Sequence, residues 1–256
     1  MKSRLWLLLL LTIVLLWASP AQELMDKLQK APGAEQQTAL FRQYLPQVRA
    51  LEDHRKLQAL WARSDQQAMQ EYYDELAGKH PQNPDYQYLR LRYLESAEQI
   101  SGARQLILNH PEFYWGYRLL AICLSEEALA SQPFNQASRS IWSDIRLLQD
   151  GLSRHPEDDA LAMALFLLHF ESNDLALARE SLMQVHDPLA LTANWQSIQS
   201  FTLATKDIEL YSVKLPHLIS VYIEQGIIAK EDSLAVYNDQ LGNFRDQLST
   251  QSQEQK

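Results

Sequence analysis

The sequence predicts an all-α chain in which antiparallel helical hairpins stack side by side as an α-solenoid, closed by a C-terminal capping helix. Three observations carry this. His80-Pro81, His110-Pro111, His155-Pro156 and His186-Asp187-Pro188 each end a stretch of helical periodicity, and their prolines stand 30, 45 and 32 residues apart, the spacing of stacked hairpins. Leu, Ala, Gln, Glu and Arg dominate, all good helix formers, while the 256 residues hold only 7 glycines. Apolar residues recur at helical rather than alternating steps before residue 200. Each hairpin has an apolar face that it cannot bury alone, so neighbours must stack to make a core.

Residues 1–21 have the layout of a secretory signal peptide. Lys2 and Arg4 form a basic start, residues 5–17 (LWLLLLLTIVLLW) are apolar but for Thr12, and Ala18-Ser19-Pro20-Ala21 supplies small residues for a cut before Gln22. The alternative is an uncleaved anchor, but a span needs about 17–25 apolar residues, and no Cys follows the run to carry a lipid. Cleavage implies an exported chain, periplasmic or secreted, with no membrane attachment. The single cysteine, Cys123, leaves no internal disulfide and favours a bacterial envelope over an oxidising eukaryotic exterior. Set in the apolar helix RLLAICL, it reads as a small buried hydrophobe. Without Lys2 and Arg4 the net charge of −9 becomes −11. Such a surface repels phosphate backbones and anionic lipid heads, which argues against nucleic acid as a partner.

In order, residues 23–30 and 34–44 read as two short helices separated by Ala31-Pro32-Gly33, and Pro46 ends or kinks the second. Residues 53–63 and 65–79 form a hairpin about Ser64-Asp65, with Ala68, Tyr72 and Leu76 on its second arm. Asn83-Pro84-Asp85 opens the next unit, whose first helix carries Tyr86, Leu89 and Tyr93 and whose second starts near Ser101. The third unit shows Tyr117, Leu120, Ala121 and Leu124, an irregular stretch over 129–135, and a returning helix with Ile141, Ile145, Leu148 and Leu152. The fourth runs from 158 to 170, turns at Glu171-Ser172-Asn173-Asp174, and returns over 175–185. Together 22–188 make the repeat region and 189–248 a C-terminal region. There Leu191, Trp195, Ile198 and Phe201 share one helix face, and 207–215 (DIELYSVKL) alternates like a strand or extended linker. Leu234, Tyr237, Leu241, Phe244 and Leu248 make a heptad-like stripe. Two heptads are short for a coiled coil, so this is read as the cap of a monomer, with a dimer helix as the alternative. Residues 249–256 read as a disordered tail.

These hairpins resemble the tetratricopeptide repeat (TPR) family. The resemblance spans 50–188 and is carried by Asn173-Asp174 as the turn, Ala178 as the small residue of the second helix, Leu182 as the next core position and Pro188 as the terminal proline. Tyr117, Leu120, Ala121 and Leu124 match first-helix core positions. Ala103 with Pro111, and Ala68 and Tyr72 with Pro81, match in two other units. Arg90 stands where the family has an apolar residue, and the family's Trp-and-Gly signature is missing. The resemblance implies a non-catalytic interaction module with a concave groove for a protein or peptide. Tyr88, Arg92, Trp115 and Arg118 are its candidate groove residues, since aromatics and arginines make binding anchors.

No catalytic or cofactor motif stands against this. There is no Gly-x-Ser-x-Gly elbow, Gly-rich phosphate loop or Cys-x-x-Cys. The histidines before proline fall in separate repeats, where capping of helix ends is the simpler role than metal binding. Asp158-Asp159 sits at a helix start, where carboxylates complement the dipole. The sequence therefore predicts no metal, no cofactor and no reaction. The alternatives are an enzyme or solute binder with a pocket between the repeats and residues 189–230, or a membrane-tethered scaffold. Intact-mass analysis of exported material should give a chain beginning at Gln22; a mass retaining Met1 would identify the anchored form.

Overall fold

In a computed structural model, residues 20–31, 33–61, 66–130 and 141–254 are described. Among them there is no β-strand, and the helices divide after Glu95 into two compact units. The expected signal peptide (but for its last two residues), the Ser64-Asp65 turn and most of the irregular 129–135 stretch lie outside the described residues. No helix among those described is long and apolar enough to cross a membrane.

The first unit holds α1 (Pro20–Lys30), α2 (Ala34–Tyr44), a 3-10 turn at Leu45–Gln47 around Pro46, α3 (Leu51–Trp61), α4 (Gln66–Lys79) and α5 (Pro84–Leu91). Pro46 thus tightens the last turn rather than simply stopping it. On α4 the buried stripe is Met69, Tyr73 and Ala77, with Tyr72 only half-buried. The sequence reading through Ala68 and Tyr72 was one residue out of phase, because Tyr72-Tyr73 offers two rings of equal apolarity and only packing chooses between them. Tyr73 stacks on Tyr93 with ring centroids 5.9 Å apart, and its hydroxyl lies 3.0 Å from Nδ1 of buried His54. Arg90, out of place as a core residue, pairs with Asp74 at 2.7 Å.

The second unit holds α6 (Ser96–Asn109), α7 (Tyr114–Ala130), α8 (Ile141–Arg154), α9 (Asp159–Glu171), α10 (Leu175–Gln184), α11 (Pro188–Ala193), α12 (Trp195–Thr205), α13 (Ile208–Glu224), a 3-10 turn at Lys230–Asp232, and α14 (Ser233–Glu254). It is a stack of helical hairpins, as the repeat spacing predicts. Helix α9 packs on α7, α8, α10 and α11, and every residue from Leu161 to His169 is buried. A helix without a polar face must be covered all round. Tyr117, Leu120, Ala121 and Leu124 are fully buried, as are Ala103, Ala178 and Leu182. Behind them the Asp144 carboxylate, completely buried, receives both Nε and Nη2 of Arg104 at 2.7 and 2.8 Å and so ties α8 to α6.

The His-Pro signature is a turn that joins one helix to the next. The N–H groups of His80, His110 and His155 close the last helical turn, and their carbonyls accept from Asn83, Phe113 and Asp158 at 3.0, 2.9 and 3.1 Å. Proline fits the second position of such a turn because its φ is preset. The fourth residue can then cap the next helix: Asn83 accepts from the N–H of Asp85, and Asp158 from those of Ala160 and Leu161. Two of the imidazoles lie against aromatic rings, His80 on Tyr86 at 5.4 Å and His155 on Tyr114 at 4.7 Å.

Beyond Pro188 the expected strand at 207–215 is instead the first half of α13, capped by Asp207. Its alternation arises because Leu210, Tyr211, Lys214 and Leu215 face inward at helical steps. Pro216 lies inside this helix and cannot donate to the Ser212 carbonyl, toward which the Tyr237 hydroxyl reaches at 3.5 Å from α14. The single face expected over 191–201 is broken at Asn194 into α11 and α12. Helix α6 starts at Ser96 rather than near Ser101. Helix α14 packs on α12 and α13, with Phe244 buried against Tyr211 at 4.0 Å. It continues to Glu254, through most of the stretch read as a disordered tail. Lys214 is buried, donating to the carbonyls of Met183 and Val185 at the end of α10 at 3.2 and 2.6 Å. Burial lowers its pKa, partly opposed by Asp159.

Two expectations follow. A Cβ on Gly151 of α8 would stand 2.7 Å from Cδ1 and 2.9 Å from Cγ of buried Tyr117. Gly151→Ala should therefore lower stability by about 1–2 kcal/mol in denaturant melts, since overpacking outweighs the helix propensity gained. Burial also holds the His54 pKa at about 4, despite the raising influence of the Val48 carbonyl and Asp53. The unfolded chain takes up this proton near pH 6.5 and the folded one does not, so stability is full above that pH and falls as pH drops toward 4. Between pH 7.5 and 5 the loss should be about 2 kcal/mol, and His54→Gln should remove that pH dependence.

Candidate functional site

The four residues singled out from sequence divide between the units. In the first, Tyr88 is buried, with its hydroxyl accepting from Arg55 Nε at 3.3 Å. It is a core residue and not an exposed anchor. Its i+4 neighbour Arg92 is exposed, lies 5.8 Å from the Tyr88 ring centroid and hydrogen-bonds the Gln58 side-chain oxygen. Gln58, itself buried, donates to the Leu89 carbonyl at 3.0 Å. Arg92 therefore stands over a buried polar contact that ties it to Gln58.

In the second unit Trp115 and Arg118 sit on the first turns of α7; Arg118 lines a cleft of about 770 Å³, while Trp115 packs beside Arg118 and Tyr114 without lining it. Its walls come from Tyr114 and Arg118 of α7, Arg154 at the end of α8, the His155–Asp158 turn, Asp159 and Ala160 of α9, and Asp187 and Ala190 of the α11 segment. The cleft exists because the repeats place helix ends side by side and fill them with polar caps instead of apolar side chains. Arg118 Nη1 donates to the Tyr114 hydroxyl at 2.6 Å and lies 3.5 Å from Asp158. The Tyr114 hydroxyl in turn donates to Asp158. The guanidinium lies 5.7 Å from the Trp115 ring centroid, and Trp115 is 4.8 Å from Tyr114. Burial, and then the Asp158 carboxylate, raise the Tyr114 pKa, which keeps the phenol protonated and donating.

The remaining groups are held by the fold. Asp159 accepts from the backbone N–H groups of His186 and Asp187 at 2.7 and 3.0 Å. Asp187 caps α11. Arg154 bridges Glu112 at 2.6 Å and Asp150 at 3.1 Å. Asp150 also takes a hydrogen bond from Tyr117 at 2.7 Å, whose phenol is pushed up to about 12 by burial and that carboxylate. Among the described residues no group of three or more His, Cys, Asp or Glu could hold a metal ion. Cys123 is buried, its Sγ 3.0 Å from Gln99 Oε1 and its pKa pushed up to about 11 by burial, so the thiolate is scarce at neutral pH.

Sequence reasoning named Trp115 and Arg118 as candidates and did not name Tyr114, His155 and Asp158, which line the cleft with Arg118. The signal was present: Tyr114 and Arg118 are one helical turn apart, and the residue after His-Pro-x is a cap. What it lacked was the 44-residue reach that brings Asp158 to Tyr114.

No protein-family model matches the chain, and no curated protein matches it by sequence. Among solved structures it is similar to a thermophilic TPR protein of Thermus thermophilus, at 16% identity, over 74% of this chain and 98% of that one, with a TM-score of 0.48.

Proposed function

We propose that this chain is an exported, non-catalytic interaction module that holds a protein or peptide partner in the cleft beside Trp115 and Arg118. The observation that carries this is a phenol and a guanidinium, Tyr114 and Arg118, lining a cleft between packed helices, with the half-buried Trp115 indole against both. Such side chains give large contact area at low entropic cost. The polar groups around them support binding over reaction. Asp158 caps a helix, Asp159 holds two backbone N–H groups, and Arg154 is bridged by two carboxylates, so each of these three is engaged in a structural contact. Export rests on the layout of residues 1–21 alone.

One observation favours a second reading, a small-solute binder. The cleft reaches Asp187 and Ala190, so it lies where the repeats meet the C-terminal helices, as that alternative requires.

The test is quantitative affinity purification from the native source, with Trp115→Ala plus Arg118→Ala beside wild type and a Trp142→Ala control. Trp142 is exposed elsewhere. A specific partner should be recovered at least about fivefold less with the double variant, the effect of losing roughly 1 kcal/mol or more at an anchor, while the melting temperature stays within a few degrees. Equal recovery from all three proteins would remove the cleft from the function.

A further inference from the structure

We infer that the occupant of the Trp115–Arg118 cleft is a peptide segment carrying a lysine or arginine side chain. This rests on the interaction-module reading and adds the charge of the partner. Two guanidiniums, Arg118 and Arg154, and four carboxylates, Glu157, Asp158, Asp159 and Asp187, line the cleft, a formal excess of two negative charges. Both guanidiniums are matched within the protein, Arg118 by Asp158 and Arg154 by Glu112 and Asp150.

The carboxylates are not matched in the same way. Asp159 lies 3.9 Å from His186 Nδ1 and is drawn toward Lys214. Asp187 meets only the neutral N–H of Leu189, so its charge persists, partly offset by the short helix it caps. Glu157 is exposed and makes no hydrogen bond or ion pair among the described residues. Glu157 and Asp187 are therefore the open charges of the cleft.

Two rings, Tyr114 and His155, line the same cleft. Tyr114 meets His155 at 4.7 Å and Trp115 at 4.8 Å between ring centroids. Open carboxylates beside aromatic faces suit a guanidinium or ammonium group, which can pair with the former and lie over the latter. A carboxylate ligand would instead meet two arginines that are already paired, beside two open carboxylates. The net charge of −11 without Lys2 and Arg4 acts in the same direction, drawing a cationic partner from a distance and slowing an anionic one.

The experiment is fluorescence anisotropy of the intact protein with three labelled short-peptide pools, random except for a central Arg, Lys or Glu. The Arg and Lys pools should bind and weaken as salt is added. Glu157→Gln should lower their affinity about threefold and Glu157→Arg about tenfold, without a change in melting temperature because Glu157 is exposed. Preference for the Glu pool, or Arg and Lys binding indifferent to Glu157→Arg, would overturn the inference and leave the interaction module standing. Silence from all three pools would also overturn it, and recovery of a partner with the Trp115/Arg118 variants decides the broader reading separately.

Discussion

The second unit depends on covering α9. Nine consecutive residues of this helix, Leu161 to His169, have no face that tolerates water. Helices α7 and α8 close two sides, and α10 and α11 the others. The hydrophobic cluster around α9 takes in Phe166, Ala178, Leu182, Leu191, Ile198 and Phe201. Burial of apolar surface on this scale is the main favourable force in the stack. It also fixes the direction of the chain, since each hairpin must return to the layer that α9 leaves uncovered.

Local chemistry then sets where the helices stop. At the end of α8, a histidine carbonyl, a proline with preset φ and a capping carboxylate turn the chain within four residues. Because caps are polar and repeats stack in register, the turns bring charged and aromatic side chains together at one end of the layer. The cleft is a product of that arithmetic. Asp158 holds the start of α9 and, with its other oxygen, the phenol of Tyr114 and the guanidinium of Arg118. A single residue thereby serves the fold and shapes the surface.

Much of the architecture was legible in the sequence for physical reasons. Long amphipathic segments show their period, and His-Pro turns mark their ends. Tyr117, Leu120, Ala121 and Leu124 were placed correctly because four apolar residues at helical steps leave one choice of face. Tyr72 was misplaced because its neighbour is also tyrosine. Residues 207–215 looked extended because a buried lysine at 214 interrupts the apolar period, and its two carbonyl acceptors come from a helix 30 residues earlier. Tyr88, which is buried, looked like an anchor because its hydroxyl is met by Arg55, 33 residues earlier, which no local pattern connects to it. Trp115 and Arg118 were visible as types of residue, while the carboxylate paired with Arg118 was visible only as a cap.

The division expected at residue 188 marks a change of pattern and not a seam. Lys214 reaches back across it to the last carbonyls of α10, and Leu191, Ile198, Phe201 and Leu210 share one apolar cluster with Phe166 and Leu182. A fragment trimmed at Pro188 would be an unroofed storey. Its floor would be greasy and wet, with two oxygen atoms left pointing at solvent. Residues 189–254 are the roof of this building, and the hairpins beneath were never meant to stand in the open.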